Sequence, residues 1–231
     1  DFTIVKLTLD QQLFPHALGK IVCVGRNYAA HAKELNNPIP SEPILFIKPA
    51  SSAVDLSPSF SIPEDQGSVH HELEIALLIG QPLVNADENE VAGAIAGVGL
   101  GLDLTLRDVQ AKLKEKGHPW ERAKSFDGAC PLTGFVSVAQ FSEDNWPSIS
   151  LDLGLTLEKN GQLQQQGSSA DMLFAILPLI AHMSENFSLQ PGDVILTGTP
   201  AGVGPLEKGD SLSCTLSLAN EVLLTSESTV V

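Results

Sequence analysis

Three acids in this chain stand among more apolar residues than a carboxylate tolerates without a partner. Two of them, Glu72 and Glu74, open the stretch "HHELEIALLIG" (70–80). Leu73, Ile75, Leu77 and Ile79 alternate there and a glycine ends the run, the pattern of a β-strand with one buried face. Side chains alternate sides along a strand, so Glu72, Glu74 and His70 are expected on the opposite face. Two carboxylates about 6–7 Å apart repel by about 0.6 kcal/mol in water, but by roughly 2–3 kcal/mol at an effective dielectric of about 20. The third acid, Asp103, sits in "VGLGLDLTL" (98–106), where a charge is costly unless paired or bound to metal. Three carboxylates without a cysteine-rich cluster suit a hard cation, Mg²⁺ with Mn²⁺ or Ca²⁺ as substitutes. His70 leaves a zinc site open, and solvated acids on a strand are the plain alternative.

His31 and Glu34 lie three apart in "NYAAHAKELN" (27–36), so a short helix puts them on one face. An imidazole beside a carboxylate is the arrangement of a general base that activates water, although such pairs also occur on solvated helix faces. Lys48 lies in the otherwise apolar "ILFIKP" (44–49), where a strand-edge lysine is the ordinary reading. Lys124, in "ERAKSFDGACP" (121–131), follows a helix end without a special local signal. "GVGLGLD" (97–103) lacks dinucleotide spacing, and "GTPAGVG" (198–204) lacks the Gly-Lys-Ser/Thr of a phosphate loop. The second could present backbone N–H groups to a carboxylate; otherwise it is a structural loop.

The elements that must position these residues are mostly strands. Residues 20–28 read as a strand running into a polar turn, 27–36 as a short helix, 42–49 as a strand bracketed by prolines. The small-residue stretch 91–105 implies close backbone packing or a bulge at Gly97, Gly99 and Gly101. Thr105 is expected to cap a helix that stops at Gly117. Residues 150–167 form the clearest hairpin, turning at Asn160-Gly161. Residues 168–185 read as a helix that Pro178 kinks or ends, and 192–200 and 210–226 give further strands. Few helices and short strand connections indicate a mainly β or α+β fold rather than a doubly wound parallel sheet.

The 231 residues show no internal repeat or linker, which indicates a single domain over 1–231. A formal net charge of −15 makes nucleic acid and anionic membranes poor partners. The longest near-apolar run, "MLFAILPLIA" (172–181), is too short to span a bilayer. The opening residues carry no signal-peptide pattern, and because Asp1 is not an initiator methionine, further N-terminal residues are expected. Cys23, Cys130 and Cys214 are widely spaced in apolar surroundings, as reduced thiols in a cytoplasmic compartment would be. Arginine occurs at three positions, Arg26, Arg107 and Arg122, each near a segment named above.

Taken together, "GRNYAAHAKE", "SEPILFIKP", "HHELE", "GLDLTLRDVQ", "GHPWERAKSFDGACP" and "GDVILTGTPAGVG" resemble, in order and spacing, the fumarylacetoacetate hydrolase family. The resemblance spans about residues 20–205 and is nearest to the short acylpyruvase and oxaloacetate decarboxylase branch. It implies a β-roll of mixed sheets with a few short helices, paired as a homodimer. It places the metal acids at Glu72, Glu74 and Asp103, the water-activating pair at His31 and Glu34, and the active-site lysine at Lys124. Arg26, Lys48, Arg107, Gln110 and Thr199 match positions near a small anionic oxo-acid substrate, and "LNNPIPS" (35–41) falls where such enzymes carry a mobile lid. The implied reactions are acylpyruvate C–C hydrolysis, oxaloacetate decarboxylation and keto–enol tautomerisation, all passing through one enolate. A non-catalytic metal-dependent acid-binding protein and a zinc-dependent deacylase are the readings from other classes.

Overall fold

Alternating leucine and isoleucine build the strand Leu73–Ile79 at the middle of the largest sheet. A computed structural model describes residues 4–137 and 145–231; residues 1–3 and 138–144 of the expected 1–231 domain lie outside the described residues. The sheet runs in the order Ile44–Lys48, Ile21–Gly25, Val194–Leu196, Leu73–Ile79, Ile95–Leu102, Cys130–Leu132, Ala53–Asp55. Val194–Leu196 is parallel to Ile21–Gly25 and antiparallel to Leu73–Ile79, so the sheet is mixed. A second sheet of five strands carries the expected hairpin as Leu153–Lys159 and Gln162–Ser168. Asn160 and Gly161 turn it with φ of 53° and 76°, the pair of positive values that a tight hairpin requires. A small third sheet joins Thr105–Leu106, Val69–His71 and Gly204–Pro205. Mainly β structure with few helices is the expected class.

The strand Leu73–Ile79 departs from the one-faced expectation, because every residue in it is buried. Leu73, Ile75, Leu77 and Ile79 pack into the larger apolar cluster, and Ala76 and Leu78 into a second cluster behind the sheet. Glu74, on the face of Ala76 and Leu78 by alternation, is therefore an interior acid. Gly97, Gly99 and Gly101 do mark close packing: a Cβ on Gly99 would lie 2.9 Å from the Gly134 carbonyl oxygen.

Two helix expectations are corrected. Thr105 belongs to the strand Thr105–Leu106, and the helix Arg107–Lys116 starts after Leu106 without a side-chain cap. Asp108, three residues after Thr105, accepts from Ser68 N at 2.9 Å. Residues 168–185 divide into a short turn, Ser169–Asp171, and the helix Ile176–Asn186. Pro178 lies in that helix's first turn, where amide hydrogens have no intrahelical acceptor, so it opens the helix rather than kinking or ending it.

Candidate metal-binding active site

Sheet register brings the three acids together. Glu72 immediately precedes Leu73–Ile79, and Asp103 immediately follows its antiparallel neighbour Ile95–Leu102. Leu73 pairs with Leu102, and Asp103 N donates to the Glu72 carbonyl at 2.9 Å. One oxygen from each of Glu72, Glu74 and Asp103 lies within 4.8 Å of the others, and all three residues are buried.

Cations surround the cluster unevenly. Lys124 Nζ donates to Glu72 Oε2 at 3.0 Å, Asp103 Oδ2 at 2.8 Å and Thr105 Oγ1 at 2.8 Å. Arg107 donates to Glu72 Oε1 at 2.6 Å and to Gln110 Oε1 at 2.8 Å. Burial penalises the Glu72 carboxylate, but Lys124, Arg107 and His31 outweigh it and hold its pKa well below the usual range. Glu74 fares differently. Burial, then repulsion from Asp103 and Glu72, pushes its carboxyl well above the usual range, against Lys124 and the Gly198 amide.

The helix Ala29–Glu34 supplies the imidazole. His31 Nδ1 lies 3.3 Å from Glu34 Oε2, and His31 Nε2 lies 3.9 Å from Glu72 Oε1, facing the acids. "GTPAGVG" does present backbone N–H groups to carboxylates, and they are the protein's own. Gly198 N donates to Glu74 Oε2 at 2.8 Å, and Gly202 N to Glu34 Oε1 at 3.0 Å. Both glycines have φ near +97°, at +96° and +97°, and a Cβ would strike Asn27 at 2.6 Å and the Gln164 carbonyl at 1.9 Å.

A cleft partly open to solvent is lined by Glu72, Glu74, Asp103, His31, Lys124, Arg26, Arg107, Gln110 and Thr199. Thr199 Oγ1 donates to Leu73 O at 2.7 Å and accepts from Gln165 Nε2 at 2.7 Å. Lys48 does not meet the expectation of a substrate contact. It is fully buried, its ammonium 2.8 Å from Asp103 Oδ1 and bonded to the carbonyls of Leu104, Lys124 and Ala129. It fixes Asp103 from behind. His70 departs as well: it is half-buried and accepts from Arg107 Nε at 3.3 Å, and burial, then Arg107, pushes its pKa down to about 4.

Sequence reading missed four residues. Thr105 holds Lys124, and buried Gln165 accepts from Leu73 N at 3.0 Å while bonding Thr199. Asn27 ties the turn before His31 to Thr197 O at 2.8 Å and Phe174 O at 3.0 Å. Asn27 and Thr105 lie inside "GRNYAAHAKE" and "GLDLTLRDVQ", a signal that could have found them, whereas Gln165 carries no periodic or motif signal of its own. Lys114 lines the cleft too, and helical spacing from Arg107 and Gln110 was a signal that could have found it.

The donor set fits a divalent cation. All three ligating groups are carboxylates, the preference of hard ions, and Glu74 is an interior acid whose ionisation a further positive charge would favour. No histidine or cysteine joins the cluster among the described residues, so zinc finds no soft ligand there. Mixed β-sheets holding a buried carboxylate trio beneath an imidazole describe a metal-dependent enzyme.

The comparisons agree. Residues 20–231 match the family described as fumarylacetoacetate (FAA) hydrolase, C-terminal. Oxaloacetate tautomerase YcgM of Escherichia coli strain K12 is 52% identical over 214 residues, covering 91% of this chain and 95% of that protein. A crystal structure of the fumarylacetoacetate isomerase/hydrolase type from Oleispira antarctica is 75% identical, with a TM-score of 0.94 over 98% of this chain and 100% of that one. Fumarylpyruvate hydrolase from Pseudomonas aeruginosa, solved with Mn²⁺ and pyruvate, is 30% identical with a TM-score of 0.86, covering 98% and 95% of the two chains. The chain belongs to the fumarylacetoacetate hydrolase family.

Proposed function

We propose that this protein is a divalent-metal-dependent enzyme of small 2-oxo acids whose main reaction is the keto–enol tautomerisation of oxaloacetate. The observation that carries the reading is the position of His31. Its Nδ1 is engaged by Glu34 at 3.3 Å, while its Nε2 faces Glu72 at 3.9 Å, over the carboxylates. Glu34 holds the tautomer with hydrogen on Nδ1, which leaves Nε2 free as a base. That geometry serves proton transfer from carbon or from water, and the similarity to an oxaloacetate tautomerase along nearly the whole chain favours the first.

Glu72, Glu74 and Asp103 would hold the metal, which we assign as Mg²⁺, and it would polarise the oxo group as a Lewis acid. His31 Nε2 takes a proton from C3, and the C–H electron pair becomes the C2–C3 double bond as the C2 oxygen gains negative charge. The resulting imidazolium returns the proton to that oxygen, so atoms and charge balance. Lys124, held by Glu72, Asp103 and Thr105, offsets the charge that develops nearby.

Hydrolysis of acylpyruvates is a second reading, favoured by the same His31–Glu34 pair, which could equally take a proton from water. Ultraviolet absorbance of enol-oxaloacetate, followed alongside acylpyruvate cleavage with Mg²⁺ and with chelator, separates them. Rapid Mg²⁺-dependent loss of the enol supports the tautomerase; cleavage without enol conversion rejects it. A homodimer and a cytoplasmic compartment belong to the same proposal, the latter supported by three buried free thiols. Light scattering on the purified protein tests the dimer.

A further inference from the structure

The helix Arg107–Lys116 turns Arg107, Gln110 and Lys114 toward the same cleft, at positions i, i+3 and i+7. Two cleft cations are already committed. Arg107 serves Glu72 and Gln110, and Lys124 serves Glu72, Asp103 and Thr105. Arg26 and Lys114 also line the cleft, and among the described residues neither forms an ion pair. Lys114 Nζ donates to Asn37 Oδ1 at 3.0 Å, which fixes the ammonium and leaves two of its three donors unspent. Partial burial, then the charges of Arg26, Arg107 and Lys124, lowers its pKa.

We propose that Lys114, positioned by Asn37 and working with Arg26, binds the second carboxylate of a dicarboxylic substrate and thereby selects it over monocarboxylic acids. The proposal rests on the oxo-acid reading above and adds the end of the substrate remote from the carboxylate cluster. Two cations that line one cleft, neither in an ion pair among the described residues, suit a carboxylate, which has two oxygens to share. The bond to Asn37 also ties this recognition to the 35–41 segment.

Calorimetric binding of malate and its 4-methyl ester to the Mg²⁺-loaded protein tests this, since neither ligand can tautomerise. The ester keeps the skeleton and replaces the remote carboxylate with a neutral, slightly larger group, so the Lys114 variants rather than the wild-type ratio alone isolate the charge. Wild type should prefer malate by about 10-fold to 100-fold, the range of a charge-assisted contact. Lys114→Met should reduce that preference to within about 2-fold, while Lys114→Arg keeps part of it and Lys112→Met, on a surface outside the cleft, keeps it whole. Equal weakening of both ligands by Lys114→Met, or a wild type without preference, would overturn the proposal. Turnover is read separately: a wild type that fails to convert any oxo acid rejects the functional reading and leaves the affinity ratio to decide the role of Lys114.

Discussion

Asp103 N donates to the carbonyl of Glu72 at 2.9 Å, so the two residues are joined backbone to backbone where one strand begins and its neighbour ends. Their carboxylates converge because the sheet is in register, and the Lys124 ammonium then bridges them. The two acids differ in what lies behind them. Asp103 faces a second buried lysine, Lys48, at 2.8 Å, whereas Glu72 is backed by the more accessible Arg107 at 2.6 Å.

That asymmetry separates metal binding from stability. Glu72→Gln should abolish metal binding and turnover and destabilise the fold less than loss of Asp103 does, because Arg107 is partly exposed and Lys124 keeps Asp103 and Thr105. Asp103→Ala should also destabilise the protein by about 3–5 kcal/mol, because it strands the Lys48 charge in the interior. Urea unfolding of both variants, with metal content measured beside it, checks the pair. Equal stability of the two would show that Lys48 finds adequate partners in its carbonyls.

Glu74 gives a pH dependence. Its pKa in the metal-free fold is raised above the unfolded value, so the protonated form contributes stability that is full below the usual carboxylate range. That contribution is lost as pH rises through the raised value. A divalent ion reverses the penalty by favouring the carboxylate. The rise in Tm caused by Mg²⁺ should therefore be larger at about pH 8 than at about pH 5.5, and Glu74→Gln should raise the Tm of the metal-free protein at the higher pH. Differential scanning fluorimetry measures both.

His31→Ala should slow tautomerisation and acylpyruvate hydrolysis by about 10²–10⁴-fold, the usual worth of a positioned base. Oxaloacetate decarboxylation should suffer less, since loss of CO₂ needs neither a C3 proton removed nor a water activated. Steady-state rates for the three reactions decide it; equal losses in all three would make His31 a substrate-positioning group.

Lys124→Met and Lys48→Met should part company. Lys124 lines the cleft and faces charge that grows toward the enolate, so its loss should lower kcat more than it raises KM. Lys48, wholly buried behind Asp103, should cost stability and leave KM nearly unchanged in whatever protein remains folded. A Lys124 variant with normal kcat would remove that residue from the chemistry.

Much of this was legible in the chain. Alternation located Leu73–Ile79, Asn160-Gly161 set the hairpin, and an acid in an apolar string marked Asp103 as needing a partner. Less legible was anything that depends on what stands behind a strand. Lys48 reads as a strand-edge lysine until the Cys130–Leu132 segment and its neighbours bring the Ala129 carbonyl to its ammonium, and Glu74 reads as half-exposed until a second core covers its face. Gln165 lies 94 residues from His71, to which it bonds, and no local pattern announces a contact that long.

The most direct test follows metal and rate together. Mn²⁺ is titrated into chelator-stripped protein while electron paramagnetic resonance reports the free ion and absorbance reports enol-oxaloacetate. Turnover should begin near zero, rise in proportion to bound metal and saturate at a single ion per chain, and Glu72→Gln should show neither binding nor rate. Full enol conversion by wild-type protein with no metal bound would contradict the metal-centred reading of Glu72, Glu74 and Asp103.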